Sequence, residues 1–322
     1  MCIVTMLCWG SWANTQKLAS KHWPFQLFYW DYSLGVLILS LIFAFTLGST
    51  GTAGRGFLAD LALADGSALW SAFLGGVIFN LANILLVAAI DIAGMAVAFP
   101  VGIGLALVLG VLTSYLERPE GDPAVLAAGV AFVAAAIVLD AAAYRKLPAE
   151  GLKTTAKGIL LSVAAGVLMG FFYRFVVAAM APDFSAPEAG LLTPYTAVVV
   201  FSAGLLISSF LWNTLVMMRP FAGEPVRFAD YFRKGDLRLH VVGMLGGIIW
   251  NIGMSFSIVA SGAAGPAISY GLGQGATMIA ALWGVFIWKE FAKAPPGANR
   301  LLAVMFICYA AGLGLLIASR MG

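Results

Sequence analysis

Charged residues are scarce in this sequence. The 322 residues include only 18 Lys or Arg and 15 Asp or Glu, so 10% are charged and 61% are hydrophobic. Soluble domains carry about 25% charged residues, and this chain has too few to cover a globule with a water-exposed surface. The mean hydropathy of +0.96 and the long unbroken apolar runs indicate an all-α polytopic membrane protein. A transmembrane β-barrel would instead show short segments of alternating polarity.

Cysteine and histidine are also rare, which argues against several kinds of site. Cys2, Cys8 and Cys308 lie in apolar stretches without metal-ligand spacing, so we expect no metal site and no cofactor. His22 and His240 lie near segment ends and form no zinc-protease motif. A net charge of +3 without a basic stripe argues against nucleic-acid binding. A membrane-embedded enzyme is therefore disfavoured. A channel is disfavoured too, because the polar residues cluster near the presumed midplane instead of forming a stripe.

Apolar runs of about 20 residues, the length that spans a bilayer as a helix, divide the chain into predicted transmembrane segments. The first segment is short, so we expect either a locally thinned bilayer or a natural start further upstream. The largest loop, from Met218 to Asp236, has room for a small amphipathic cap at most. The ten predicted segments are 1–16, 25–47, 68–90, 93–116, 124–144, 158–180, 194–217, 237–260, 265–288 and 300–319.

Part of the chain is an internal repeat. Residues 74–104 align without a gap on residues 245–275, with 11 identities in 31 positions, five of them glycine. A polar match, Asn80 with Asn251, argues against a chance likeness between glycine-rich helices. The copies are five segments apart, an odd number, so they must cross the membrane in opposite directions. This predicts a 5+5 inverted repeat, a transporter architecture with the substrate site near the midplane. The predicted halves are 1–146 and 158–322, joined by a cytoplasmic linker at 147–157.

Lysine and arginine are distributed unequally between the loops, which predicts the orientation. Fourteen of them lie in or beside loops that follow odd-numbered segments, whereas three, Arg55, Arg118 and Arg320, lie on the opposite side. We therefore expect both termini outside the cytoplasm, in a multi-pass protein of a bacterial-type inner (plasma) membrane. The bilayer is the expected surrounding partner.

Several short motifs within residues 8–117 match those of known transporters. They are Gly10-Ser11-Trp12, Asp31-Tyr32-Ser33, Ala44-Phe45-Thr46-Leu47-Gly48, Gly75-Gly76-Val77, Asn83, Gly94, Gly110 and Tyr115. On these motifs the chain resembles the drug/metabolite transporter superfamily, and within it the ureide permease branch. Its Trp9-Gly10-Ser11 start is also similar to the glucose/ribose porter and rhamnose–proton symporter branches. The resemblance implies uptake of a small neutral polar solute, often driven by protons. Plant ureide permeases have a long cytoplasmic loop between their halves, and here that loop is only about Arg145 to Lys157.

Asp31 is the sharpest candidate for a functional charge, because charged side chains inside lipid are costly and usually face a cavity or a partner. It lies about six residues into the second segment, or ~9 Å along the helix axis. A desolvated carboxylate can load and release a proton near physiological pH, so we predict that Asp31 couples proton movement to solute movement. The alternative is a carboxylate that reaches interfacial water beside Lys21 or His22.

Arg174, about two-thirds of the way along the sixth segment, is the second such charge. It has no other charged residue in its segment, so it either binds a solute carbonyl or hydroxyl, pairs with Asp31, or reaches the outer face near Asp183. Amide, hydroxyl and aromatic groups supply the other predicted substrate contacts. These candidates are Trp9, Trp12, Asn80, Asn83, Trp250, Asn251, Ser255, Tyr270 and Gln274. Their alternative roles are hydrogen bonding between helices and, for tryptophan, positions at the membrane interface.

These patterns together predict a secondary active transporter that works by alternating access. We expect a proton symporter that imports a small neutral polar solute, with a sugar and a ureide or nucleobase equally compatible. The alternative within transport is an exporter of hydrophobic drugs from the same superfamily. The residues do not distinguish proton from sodium coupling.

Overall fold

The described part of the chain is entirely helical apart from its loops. The only extended pairings there are two isolated bridges, Ala64 with Gly190 and Met180 with Leu192. The predicted all-α class is confirmed. Lys21, His22, Gly94 and most of the predicted linker lie outside the described residues. The computed structural model describes residues 1–19, 23–50, 54–93, 98–147, 156–221, 223–292 and 294–321.

The helices follow one another with short connections. Two π-helical turns, Phe99–Ile103 and Trp283–Ile287, adjoin α6 and α13 respectively. The helices are α1 (Cys2–Ser11), α2 (Ala13–Ala19), α3 (Phe25–Phe45), α4 (Phe57–Leu63), α5 (Gly66–Ala93), α6 (Gly104–Glu117), α7 (Pro123–Tyr144), α8 (Ala156–Ala178), α9 (Pro194–Met218), α10 (Phe228–Lys234), α11 (Leu237–Ala264), α12 (Pro266–Gly273), α13 (Ala276–Leu282) and α14 (Ala298–Ala318).

Eight helical stretches in the described residues are long and apolar enough to cross a membrane. This number agrees with a polytopic membrane protein. Two of the ten predicted segments are not among them, since the first is divided at Trp12 into α1 and α2 and the fourth contributes only the shorter helix Val101–Glu117. The count of ten therefore stays a prediction. The eight are Phe25–Phe45, Gly66–Ile90, Pro123–Tyr144, Ala156–Ala178, Pro194–Met218, Leu237–Ala264, Pro266–Ile287 and Ala298–Ala318.

The ninth predicted segment is interrupted where its sequence is richest in glycine. Helix α12 ends at Gly273, a turn follows at Gln274 and Gly275, and α13 begins at Ala276. A Cβ atom at Gly273 would lie 2.8 Å from the indole of Trp9. The missing side chain therefore lets Trp9 lie directly against this break, which puts an aromatic ring beside an irregular stretch of backbone.

Repeat-related glycines make the same contact in both halves. A Cβ atom on Gly76 of α5 would lie 2.0 Å from the carbonyl oxygen of Phe201 in α9. A Cβ atom on Gly247 of α11 would lie 2.0 Å from the carbonyl oxygen of Tyr32 in α3. Glycine is needed at both positions because only a residue without Cβ lets the two helix backbones approach so closely. The α5–α9 contact thus has a counterpart in the α11–α3 contact.

The helices that receive these glycines carry matching glycines of their own. A Cβ atom on Gly35 of α3 would lie 2.2 Å from the carbonyl oxygen of Met244 in α11. A Cβ atom on Gly204 of α9 would lie 2.2 Å from the carbonyl oxygen of Phe73 in α5. Both pairs of helices therefore interlock through glycine from each side.

Candidate functional site

A cavity of about 190 Å³ is lined by one helix of each interlocked pair, α5 and α11. Its other lining residues come from α1, α2, α8, the π-helical turn Phe99–Ile103 and both sides of the α12–α13 break. Aromatic and aliphatic side chains form most of its wall. Six of the predicted substrate-binding residues line it: Trp9, Trp12, Asn83, Trp250, Tyr270 and Gln274.

Trp250 of α11 is the centre of an aromatic cluster at one end of the cavity. Its ring centroid lies 4.5 Å from that of Phe79 on α5 and 6.1 Å from that of Trp9 on α1, and the planes of the two indoles differ by only 14°. The Trp9 indole nitrogen donates a hydrogen bond to the Trp250 carbonyl oxygen at 3.2 Å. This bond fixes the Trp9 ring, so the cavity presents a rigid aromatic surface to a flat solute.

Polar groups are few and enter the cavity from three helices. Asn83 of α5 donates from its side-chain nitrogen to the hydroxyl oxygen of Tyr29 at 3.3 Å. Thr277 of α13 shares a hydrogen bond of 2.5 Å with the hydroxyl of Tyr309 on α14. Gln16 on α2 and Gln274 at the helix break complete the polar lining. Amides and hydroxyls of this kind both donate and accept, so they suit a solute with carbonyl, amide or hydroxyl groups.

Three other predicted binding residues are buried in helix packing outside the cavity. Asn80 donates to the carbonyl oxygen of Leu205 at 3.1 Å, and its repeat partner Asn251 donates to the carbonyl oxygen of Val36 at 2.8 Å. Each asparagine therefore joins a glycine-interlocked helix pair. The Ser255 hydroxyl is buried without a hydrogen-bond partner in the described residues. The repeat-related asparagines thus contribute to helix packing, whereas Asn83, one helical turn beyond Asn80, lines the cavity.

Arg174 lies on the outside of the helical bundle. Its guanidinium is paired with the Glu117 carboxylate at 3.0 Å, and about half of its side chain is exposed. It lines no part of the cavity and does not contact Asp31. Since Arg174 is near the end of α8 and Glu117 ends α6, this pair joins two helix ends.

We expect Arg174→Gln to leave solute affinity unchanged within about twofold, because exposed ion pairs of this kind contribute only about 0–1 kcal/mol. The measurement is solute binding to the purified variant, monitored as the rise in unfolding temperature that the solute causes. A tenfold loss of affinity would place Arg174 in the binding site after all.

Asp31 does not line the cavity and lies in a cluster of its own. Only 1% of its surface is exposed. The Tyr231 hydroxyl of α10 donates to its Oδ1 atom, and the Nδ1 atom of His240 on α11 lies 3.0 Å from its Oδ2 atom. A Cβ atom at Gly243 would lie 2.5 Å from the Asp31 Cβ atom, so glycine there admits the carboxylate between α3 and α11.

The short helix α10 closes over this carboxylate, in the loop where a small amphipathic cap was predicted. The ring of Trp23 lies 5.3 Å from that of His240 and 5.8 Å from that of Tyr231. Burial, then the adjacent Asp31 carboxylate, raises the pKa of the Tyr231 hydroxyl, so this group stays a hydrogen-bond donor at physiological pH. The cap is therefore held to the end of α3 through a buried acid.

Comparison with known proteins decides the family. A family model described as "Ureide permease" matches residues 145–319, more than half of the chain. The chain belongs to the ureide permease family. Two similar relatives are Ureide permease 1 and Ureide permease 2 of Arabidopsis thaliana, at 21% and 22% identity, and each match covers 98% of this chain and 95% of the relative.

A solved crystal structure shares the fold of this ureide permease family member. It superposes with a TM-score of 0.60 at 17% identity, covering 99% of this chain and 96% of the other. An identity this low supports the fold alone.

Membership of the ureide permease family makes this chain a membrane transporter and not an enzyme. The predicted family resemblance is confirmed, although the part of the chain that carries it differs. The sequence motifs lie mainly in residues 8–117, whereas the family model matches the other half, and the Arabidopsis relatives align with both.

Sequence reasoning missed several residues that the structure brings to this ureide permease site. Phe79 and Phe172 complete the aromatic cluster, but phenylalanine in an apolar helix gives no signal. Tyr231 was missed because it lies in a loop far from Asp31 in the sequence. Asp140 did carry a signal, since it is the single charged residue within predicted segment 124–144.

Proposed function

We propose that this protein is a secondary active transporter that imports a small neutral polar solute in symport with protons. A ureide or a nucleobase is the favoured solute, and a sugar is the second class. Ureides and nucleobases have flat amide groups, which suit a site built from aromatic rings, side-chain amides and hydroxyls. The names of the curated relatives also support a ureide.

The cavity is the observation that carries this proposal. At about 190 Å³ it is smaller than the roughly 300–1,000 Å³ of pockets that take drug-sized ligands. Its rigid indole surface and its few polar groups would orient a single flat ring. Both features favour a small solute over the broad range of hydrophobic drugs that an exporter would carry.

The packing symmetry supports alternating access by a 5+5 inverted repeat with halves 1–146 and 158–322. The glycine contact of Gly76 with α9 and that of Gly247 with α3 are equivalent under the repeat, and the cavity is lined by one helix from each pair, α5 and α11. In such transporters one unit rocks against the other about a central site. With both termini outside, the cavity opens toward the cytoplasm, because its lining extends to Gln16 and Ile90 near the cytoplasmic helix ends.

A thermal-stability screen of the purified protein tests the solute class. The probes are allantoin as a ureide, uracil as a nucleobase, uridine as a nucleoside and glucose as a sugar. A ligand at 100 times its Kd stabilises the folded state by about 2.7 kcal/mol, so we expect a clear rise in unfolding temperature with allantoin or uracil.

The other results of the screen are equally decisive. A shift with glucose alone would assign the sugar class. A shift with lipophilic cations and with none of the polar solutes would overturn the proposal in favour of a drug exporter. Uptake into inside-acid and outside-acid proteoliposomes then separates import from export.

We expect Asp31→Asn to bind solute but to lose accumulation driven by a pH gradient. With one proton carried per solute, a difference of one pH unit supports up to about tenfold accumulation, because one pKa unit corresponds to 1.36 kcal/mol. The amide keeps the shape of the carboxyl but carries no exchangeable charge. The measurement is solute accumulation in proteoliposomes with an imposed pH gradient, with exchange at equal pH as the readout of intact binding.

Two variants serve as controls for Asp31→Asn. Asp183→Asn removes a carboxylate that lies in an exposed loop and bonds only within its own turn, and it should accumulate solute normally. Tyr231→Phe removes the hydrogen bond of the cap but keeps the Asp31 carboxylate, and it should retain coupling. Full accumulation by Asp31→Asn would show that the coupling charge is elsewhere.

A further inference from the structure

Asp140 of α7 is a buried carboxylate that the proposed mechanism does not use. Only 3% of its surface is exposed, and its Oδ1 atom is buried without a hydrogen-bond partner among the described residues. No ion pair is formed by Asp140 in that part of the chain, whereas Asp31 has both Tyr231 and His240 as partners. An ionised carboxylate left without a partner in an apolar interior costs several kcal/mol, and such groups usually bind a proton instead.

The titratable groups around Asp140 come from three elements. Tyr144, one turn further along α7, lies on the same helix face and donates a hydrogen bond of 2.8 Å to the Glu290 carboxylate. Glu290 itself is paired with Lys17 at 2.5 Å. Asp140 interacts electrostatically with Glu290 and with Tyr309 of α14.

Within the described residues, the other elements that pack against α7 bring no further titratable group to Asp140. The π-helical turn Phe99–Ile103 has no titratable residue. In α6, Tyr115 and Glu117 lie at the far end of the α6–α7 hairpin, while Asp140 is about 6 Å along the axis from the last residue of α7. Arg145 and Lys146 lie beyond that helix end.

A hydroxyl pair connects the surroundings of Asp140 with the cavity. Tyr309, which is fully buried, shares its hydrogen bond of 2.5 Å with Thr277, and Thr277 lines the cavity. Either hydroxyl oxygen can be the donor in this bond. A negative charge on Asp140 attracts the Tyr309 hydroxyl hydrogen. Thr277 must then donate to Tyr309 instead of to the Gln274 carbonyl oxygen, to which its hydroxyl otherwise donates at 2.8 Å.

We propose that Asp140 is a second proton-binding site, whose occupancy sets the direction of the Thr277–Tyr309 hydrogen bond and so the solute affinity of the cavity. Protonation adds one O–H bond to the carboxylate, with the proton taken from water, and removes one negative charge. Tyr309 then donates to Thr277, and the Thr277 hydroxyl donates to the Gln274 carbonyl oxygen, so the hydrogen bonding of two cavity-lining residues differs between the two states. The effect on affinity rests on the proposed transport function, but proton binding by Asp140 does not.

The first experiment measures the unfolding temperature of the purified full chain from pH 5.5 to 8.5 without solute. A proton held by the folded protein and released on unfolding makes the folded state less stable as pH rises. We expect the wild type to lose about 2–4 °C per pH unit relative to Asp140→Asn, which is neutral at every pH and has the same shape. Asp140→Glu should restore the slope, and the exposed control Glu224→Gln should behave as wild type.

Equal slopes for wild type and Asp140→Asn would overturn the proton site, even if the protein binds and transports ureides. The two proposals can also fail the other way round. If the protein binds none of the probes but its unfolding temperature still falls with rising pH relative to Asp140→Asn, the proposed function is contradicted and the proton site at Asp140 stands. In a second arm, the unfolding temperature is measured in sodium chloride and again with choline chloride in its place. A stabilisation by sodium that is lost in Asp140→Asn would show a metal-cation site and overturn the assignment to protons.

The second experiment measures binding of the solute found in the screen between pH 6 and 8. We expect affinity to change with pH in the wild type and to be independent of pH in Asp140→Asn. Tyr309→Phe should lose the pH dependence of binding while it keeps the pH dependence of unfolding, because the carboxyl is intact and only the connection is removed. A pH-dependent affinity in Tyr309→Phe equal to that of wild type would overturn the role of the hydroxyl pair.

Discussion

Trp250→Ala is expected to reduce solute uptake strongly. The substitution removes the central ring of the aromatic cluster, against which both Phe79 and Trp9 pack. Stacking of a flat ring on an aromatic side chain contributes about 1–3 kcal/mol, so solute binding should weaken roughly 5- to 150-fold. Loss of a buried tryptophan also lowers the free energy of unfolding by about 3–5 kcal/mol. Binding is therefore measured well below the unfolding temperature, by equilibrium titration with the solute from the thermal screen.

Two tryptophan variants separate binding from folding. Trp250→Phe keeps an aromatic ring in the cluster and should retain most of the affinity. Trp70→Ala removes an indole that is 61% exposed and should change neither binding nor uptake. Wild-type affinity in a folded Trp250→Ala protein would show that the solute binds elsewhere.

Gly76→Ala and Gly247→Ala are expected to destabilise the protein strongly and to similar extents. In each, the new methyl group would lie 2.0 Å from a carbonyl oxygen on the neighbouring helix, far inside van der Waals contact. The helix pairs α5–α9 and α3–α11 must then move apart, and overpacking of this kind costs about 1–3 kcal/mol or more. The measurement is the unfolding temperature of each variant in the same detergent.

The matched control is Gly314→Ala in α14. A Cβ atom at Gly314 meets nothing within 4 Å, and alanine is the better helix former by about 1 kcal/mol. This variant should be as stable as the wild type or more stable. If only one of Gly76→Ala and Gly247→Ala destabilises the protein, the two interlocked contacts are not equivalent, and the proposed packing symmetry is wrong.

The outcome for neighbouring candidates shows where sequence reasoning stops. Asn80 and Asn83 lie three residues apart on one helix, and nothing in the sequence separates them. In the structure Asn80 bonds the backbone of α9, whereas Asn83 reaches the cavity. The difference depends on a neighbouring helix more than a hundred residues away. Arg174 is a similar case, since its partner Glu117 comes from a different helix.

The sequence by itself determined the membrane class, the repeat and the family. Each of these depends on composition or on spacing along the chain, because burial in lipid requires apolar residues and close helix packing requires glycine at fixed positions. Only the tertiary structure decided which polar side chains share a cavity, that Tyr231 and His240 hold Asp31, and that Asp140 has no partner among the described residues. Those properties depend on which distant residues meet across helix contacts, and such meetings are set by the packing of the whole bundle.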